Sequence, residues 1–500
     1  MQVNEEMQAQ YDESLAVYIC LVVREISQHF DEVLLKKTMS NDEKNKQTQE
    51  LILKSERMAQ AEYDNLNKMQ IHFNIATGYM NAYSFSGASQ YEMLTRAVFH
   101  FRTAIEYYES ETENKNEEKK KIADHIAMKS HVNLGNIMRT VGRYIFAIDS
   151  YNNALLIDNG FAMASLNLSH ALLDYSQLQI KKYEQQYYHH AAYHYYQQTI
   201  KCRINLEEPS YIDGLARRMR LFHPEYIDGF LTQELKLPAF NVIAQEEIDY
   251  RMHLQLCNLF LDGCGEILRE PCFAVDSIVL PEGVLAGEKS EFYGLFNQIK
   301  AEYIHGRYLW YATTVEILET PNYIEQQNDF VCVGDDSVFT VKDTLLRLAY
   351  RALYSVFDKI GYFMNFYFNV GLKGNNISFK NIWRKKNASR PLMLPTPNAG
   401  ISALYWLQKD LYDESEMDTT SPLSIRMAEM RNDMEHNALI SVGSLSKVNP
   451  QAKITKYVMD GQIEQNVYKI MKLLREAIVY LAIAVNEDVK TKEATQHEQP

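Results

Sequence analysis

Arg431, Asn432 and His436 fall within six residues of the 500-residue chain, and together they supply an anion ligand, a neutral hydrogen-bonding group and a proton-transfer group. Arg offers a planar fork that fits a phosphate and offsets the extra charge of a pentacovalent transition state. His, with an unperturbed pKa of about 6.5, takes or gives a proton near neutrality. Asn432 can orient the imidazole or donate to a phosphate oxygen without adding charge. No acidic cluster with metal-ligand spacing accompanies them, so the set points to metal-independent attack by a ribose 2′-hydroxyl. That reaction leaves a cyclic phosphate and excludes DNA.

The spacing alone is a weak signal. Arg24 to His29 and Arg218 to His223 share it. Arg24 lies in a leading segment without basic surroundings, Arg218 runs into Pro224, and only Arg431 is followed by Asn. The competing reading of the third copy is an exposed Arg431–Glu435 pair, worth about 0.3–0.5 kcal/mol, beside a surface histidine.

Elements must position these groups. Met427, Met430, Met434 and Ala438 fall at helical spacing and predict a helix whose apolar face meets a core. On that helix Asn432 and His436 are neighbours, Arg431 and Glu435 form a second pair, and Arg431 and His436 stand about 140° apart. Before it, Leu346, Ala349, Leu353, Val356, Ile360, Phe363 and Tyr367 form an apolar seam on one long helix from Asp343 to Asn369. A helix from Asn398 to Leu411 follows, then an acidic loop, Asp413 to Asp418. After the motif, Val467, Ile470, Leu474, Ile478, Leu481 and Val485 predict a closing helix from Gln462 to Glu487.

Between Gly371 and Arg390 lie six basic residues, Lys373, Lys380, Arg384, Lys385, Lys386 and Arg390, and no acidic one, in a chain of net charge −14. Lys380, Arg384, Lys385 and Lys386 are therefore the RNA-binding candidates. Phe379 and Trp383 are interleaved and either stack on bases or cap the bundle core.

The N-terminal half carries a different pattern. Leu134-Gly135, Met138, Ala147, Tyr151 and Ala154 alternate large and small residues on two consecutive helices, with Gly142 at the turn. The pattern resembles the tetratricopeptide repeat. Ala97, Phe101 and Ala104 form a degenerate earlier copy, and Leu168, Ala192, Tyr196 and Thr199 a later one.

With 46% hydrophobic residues, 12 Pro and 20 Gly against 34 Tyr and 20 Met, the chain reads as all-α and multidomain. The boundaries are 1–65 leading helices, 66–204 repeats, 205–339 an irregular helical connection with a short strand at Phe273–Leu280, 340–487 the catalytic bundle and 488–500 a disordered tail. The acidic balance argues against non-specific wrapping of nucleic acid. The apolar run Leu15–Val23 is about half of a membrane span and is preceded by acidic residues, so a cytoplasmic location without a membrane partner is expected. Six cysteines form no CxxC pair; reduced thiols are the expectation, and the gaps between Cys257, Cys264 and Cys272 do not fit the usual short metal knuckles. His190 and His194 are four apart and could share a metal, but no Glu-rich partner helix accompanies them, and aromatic packing within the later repeat is the expectation. No cofactor is expected.

The long apolar helix, the basic connection, the Arg-Asn-x3-His helix and the closing helix resemble the HEPN superfamily, named for higher eukaryote and prokaryote nucleotide-binding domains. More narrowly, Asp358-Lys359-Ile360 with Phe363 and Tyr367, Ile377-Ser378-Phe379 with Trp383, and Ala403-Leu404-Tyr405 look like the prokaryotic branch fused to tetratricopeptide repeats. Upstream, Tyr250-Arg251, Phe296-Asn297-Gln298-Ile299-Lys300 and Arg307-Tyr308 extend the resemblance. It implies a four-helix-type bundle and a metal-independent endoribonuclease of toxin or anti-phage abortive-infection type, active as a homodimer. Arg431, Asn432 and His436 match the family's Arg-polar-x-His pattern. The repeats would take a protein or nucleotide partner. The alternatives are a non-catalytic repeat scaffold and a nucleotide-binding regulator.

Overall fold

The computed structural model describes residues 19–86, 91–111, 116–202, 210–222, 244–262, 275–282, 290–314, 337–384, 392, 396–412, 429–434, 438–443, 455–459 and 461–497. They divide between two compact units, one built from the helices up to Phe222 and one from Gln245 onward.

In the first unit, α1 (Leu21–Leu35) and α2 (Asn41–Ala59) lead into helical hairpins: α3 (Asn65–Ser86) with α4 (Tyr91–Glu111), α5 (Glu117–Thr140) with α6 (Tyr144–Ile157), and α7 (Ala162–Ser176) with α8 (Lys182–Lys201), followed by α9 (Ser210–Phe222). The polar stretch from Ser40 starts α2, the Ser40 hydroxyl accepting from Glu43 N at 3.3 Å. In the central hairpin a Cβ on Gly135 would come within 2.6 Å of the Tyr151 ring, so only glycine lets α5 and α6 approach this closely. Gly142, at φ 87°, makes the turn. Leu134, Met138, Ala147, Tyr151 and Ala154 are all buried, as are Ala97, Phe101, Ala104, Leu168, Ala192 and Thr199 in the flanking hairpins.

The second unit contains α10 (Gln245–Leu256), α11 (Ser290–Thr314), α12 (Val341–Tyr367), α13 (Ala399–Gln408) and α14 (Gln462–His497). All seven seam residues predicted on α12 are buried, and so are the six predicted on α14. Gly400 is the close-approach point of α13 and α14, where a Cβ would lie 2.4 Å from Ala484 N. Asn398 caps α13 by accepting from Ile401 N at 2.9 Å, and Glu487 accepts from Ala399 N at 2.6 Å.

Three expectations change. The closing helix continues to His497 instead of giving way to a disordered tail at Asp488; Tyr367 donates to Asp488 at 2.9 Å and Lys492 pairs with Asp488 one turn on. Residues 275–280 of the expected strand belong to no sheet: Ser277 N turns back to Val275 O at 2.9 Å, and one bond, Ile278 N to Leu261 O at 2.9 Å, links the segment to a neighbouring stretch. Ala438 does not continue the motif helix. It opens β2 (Ala438–Val442), which pairs antiparallel with β1 (Ser337–Val338) and parallel with β3 (Thr455–Met459), in register Ala438↔Thr455 through Val442↔Met459. The helical architecture stands, with this small sheet added to it.

A buried ion pair ties the start of the second unit to α11. Arg307, 1% exposed, makes a two-pronged pair with Asp276 at 2.8 and 2.7 Å and donates to Leu259 O at 2.9 Å. Its guanidinium also lies 4.7 Å from the Phe260 ring centroid. Asp276 in turn accepts from Leu261 N at 2.9 Å, and Arg475 on α14 donates to Phe260 O at 2.6 Å. The Tyr250 and Arg307 singled out in the sequence meet here, with Arg307 donating to the Tyr250 hydroxyl at 3.3 Å.

Candidate active site on the long helix of the second unit

Residues 429–434 are helical, with Met430 and Met434 buried and Arg431 and Asn432 exposed. The faces predicted for those four residues are therefore the observed ones. The buried pair fixes the helix against the bundle, where Asn466 of α14 donates to the Met430 sulfur at 3.3 Å. Arg431 Nη1 donates to Asn432 Oδ1 at 3.2 Å, so the phosphate-ligand candidate and the orienting candidate form one polar group. His436 and Glu435 lie outside the described residues, as do Met427, Lys385 and Lys386.

Arg431 faces α12. Its guanidinium sits over the Tyr354 ring at 5.8 Å. Tyr354 contacts Tyr412 edge-on at 6.4 Å and the two phenols hydrogen-bond. Burial pushes the Tyr354 hydroxyl up to about 12, and the positive charge of Arg431 opposes that rise. Tyr412 is raised further, again by burial. Both phenols therefore stay protonated near neutrality and act as hydrogen-bond donors, not as bases.

Asp358, one turn beyond Tyr354, adds a negative charge that acts on both tyrosines. Partial burial, which costs the carboxylate hydration, raises its pKa, against the Phe379 N–H, which donates at 3.4 Å, and the Arg431 charge. The sign follows directly. An acid whose pKa is raised by folding binds more protons in the native state, so stability falls as pH climbs through that pKa. Asp358→Asn is thus expected to stabilise the fold above this window and to be neutral below it. Because the residue as a whole still reaches solvent, screening keeps the gain under about 1 kcal/mol. Urea midpoints of both proteins at mildly acidic and mildly alkaline pH provide the check.

The basic connection reaches this cluster through Gly361. A Cβ there would lie 2.3 Å from Phe379 N, so the absence of a side chain lets the connection cross α12 in contact. Phe379 is fully buried, 5.8 Å from Phe357, and belongs to the core. The base-stacking reading of Phe379 is therefore replaced by the capping one. Trp383 is half-buried between Phe379 and Tyr405, at 6.0 and 5.7 Å. Lys380 extends over Tyr412, Nζ 5.8 Å from the ring, which puts it with Tyr354 and Arg431 around one shared tyrosine pair. Arg384 ends the short 3-10 turn 381–383, half-buried.

Tyr354, Tyr412 and Asp358 are the site residues that motif reading missed. Only Asp358 carried a signal, as part of Asp358-Lys359-Ile360. The decoy Arg218 is engaged elsewhere: it pairs with Asp174, which also accepts from Arg139 at 2.5 Å. Among the described residues no group of three or more His, Cys, Asp or Glu is arranged to hold a metal, and no helix is long and apolar enough to cross a membrane. Cys20, Cys202 and Cys257 are free thiols, whereas Cys264 and Cys272 lie outside the described residues.

No curated protein and no solved structure matches this chain. A family model described as LA2681-like HEPN matches residues 285–488, a span that begins upstream of the boundary expected at 340 and takes in α11. The second unit of this chain therefore carries an LA2681-like HEPN domain over residues 285–488.

Proposed function

We propose that the protein is a cytoplasmic, metal-independent endoribonuclease of toxin or anti-phage abortive-infection type, whose HEPN domain cleaves RNA as a homodimer under control of the N-terminal helical hairpins. The observation that carries the reading is Arg431, an exposed guanidinium beside Asn432 and over Tyr354, inside a span that matches a HEPN family. In an acidic chain, a guanidinium flanked by two protonated phenols and Lys380 favours a bound phosphate.

In this reading Arg431 binds the scissile phosphate and stabilises its developing charge. His436 transfers the proton from the 2′-hydroxyl or to the leaving oxygen, and Asn432 orients it. Lys380, Arg384, Lys385 and Lys386 hold the flanking RNA backbone. One chain supplies one Arg, Asn and His, so the homodimer brings two sets together; the hairpins take a protein or nucleotide partner. Purified full-length protein is expected to cut single-stranded RNA in excess EDTA and to leave DNA of the same sequence intact. Failure to cut RNA under any partner or nucleotide addition would favour the scaffold or nucleotide-binding alternatives.

A further inference from the structure

Leu348, Arg351, Ser355, Asp358, Tyr362 and Phe366 of α12 are all exposed. At 100° and 1.5 Å per residue they fall within about 80° of one another over about 27 Å, one stripe down the long helix of the bundle. Three of the six are large and apolar. Leu348 is 47% exposed, Tyr362 and Phe366 are 48% exposed each, and the two rings lie 4.6 Å apart. Large apolar side chains aligned at 3-4 spacing on the outside of a helix mark a contact surface.

The stripe has the same order from either end. Ser355 stands at its middle, small enough to let a second backbone approach. Arg351 lies on one side of it and Asp358 on the other, followed by Leu348 and Tyr362. Leu348 and Phe366 run along one edge of the stripe, Arg351 and Asp358 along the other. A two-fold axis passing across the helix at Ser355 reverses the direction of a second copy and keeps like edges together. Apolar then meets apolar, and Arg351 comes within a turn of Asp358 of the second copy. A parallel pairing would instead set Arg351 level with Arg351, so the charges select the antiparallel one.

We propose, on the ribonuclease reading above, that this stripe is where two copies of the chain meet, antiparallel and crossing at Ser355, to form the homodimer. Tyr354, next to the crossing, lies under the Arg431 guanidinium, and Arg351 also donates to the Met434 carbonyl. The motif helix therefore runs beside the charged edge of the stripe. The same two-fold axis brings both Arg431 groups to one side of the pair, flanking the axis.

The test is sedimentation of the full-length chain over a range of concentrations, for wild type, Arg351→Glu, Asp358→Arg and an equal mixture of the two variants. Wild type is expected to be a dimer. Each variant alone replaces two ion pairs by two like-charge contacts, which is expected to raise the dimer dissociation constant by about 100-fold or more. In the mixture Glu at 351 meets Arg at 358 and Arg351 meets Asp358, so the mixed dimer re-forms. A wild type that stays monomeric at every concentration would overturn the proposal, whether because another protein covers the stripe or because nothing does. So would variants that dimerise like wild type, or a mixture that stays monomeric, which would trace the loss to local damage. In the single chain Asp358→Asn is stabilising, as above, and in the dimer it removes an ion pair, so its urea midpoint is compared with wild type at a dilution where both are monomeric. A stripe dimer that cuts no RNA fails the ribonuclease reading and leaves the interface standing; cleavage by a chain that remains monomeric does the reverse.

Discussion

Induced expression of the intact chain is expected to arrest growth and fragment cellular RNA, whereas His436→Ala and Arg431→Ala should leave both growth and RNA unaffected. General acid–base groups typically contribute about 100- to 10,000-fold to rate, and a charge-stabilising donor about 100- to 1,000-fold. Either loss would bring cleavage below what a culture detects. Arg431 is the cleaner probe of the two. It is exposed and its side chain contacts Tyr354 and Asn432, so its removal perturbs surface packing and not the core. Asn432→Ala should fall between wild type and these variants, because it orients and does not itself bear charge. Where infection or a bound partner is the trigger, the same ranking is expected after triggering. Equal RNA integrity in wild type and His436→Ala under that condition would refute the assignment of the histidine.

The largest stability effect is expected at the Arg307–Asp276 pair of the second unit. Asp276→Ala strands Arg307, 1% exposed, with its charge inside the protein and, among the described residues, the Leu259 carbonyl and the Tyr250 hydroxyl as its remaining hydrogen-bond partners. Breaking a buried pair from one side costs about 3–5 kcal/mol. The double variant Asp276→Leu with Arg307→Met removes both charges together. It should be less destabilised than Asp276→Ala alone, although it still loses the bond to Leu259 O. Trp310, Trp383 and Trp406 are the only tryptophans and all lie in the second unit, so tryptophan fluorescence during urea unfolding reports that unit alone. A midpoint for Asp276→Ala equal to wild type would show that Arg307 gains solvent on losing its partner.

How far the sequence reached varied with the range over which each feature is encoded. The seams of α12 and α14 were legible because large apolar residues at 3-4 spacing have no other use than a core, and all of them are buried. Gly135 and Tyr151 were legible for a related reason: a close approach needs one small and one large partner, sixteen residues apart on adjacent helices. The end of the motif helix was not. Ala438 sits four residues after Met434 and continues the helical spacing, while its actual partner is Thr455 in β3. That pairing is non-local, and nothing within a helical window announces it. The helix beyond Asp488 was missed because its residues are polar; what supports it is a phenol from α12 and side-chain pairs within the helix.

The active-site candidates divide the same way. Arg431 and Asn432 stood out by type and spacing, and the structure brings them together. Tyr354 and Tyr412 come from different elements and meet Arg431 only in the folded domain. Phe379 was ambiguous because an aromatic residue in a basic loop suits RNA or a core equally well; Gly361 decides for the core by letting the loop lie directly on α12.

The most direct test of 2′-hydroxyl attack is the chemistry of the cut ends. Purified protein is incubated in EDTA with an end-labelled RNA and with the same RNA carrying a single 2′-deoxy nucleotide at the mapped cleavage position. Cleavage by the mechanism proposed leaves a 2′,3′-cyclic phosphate upstream and a 5′-hydroxyl downstream, and the deoxy substitution abolishes cutting at that position. Products with a 3′-hydroxyl and a 5′-phosphate, or continued cutting at the deoxy position, would contradict it.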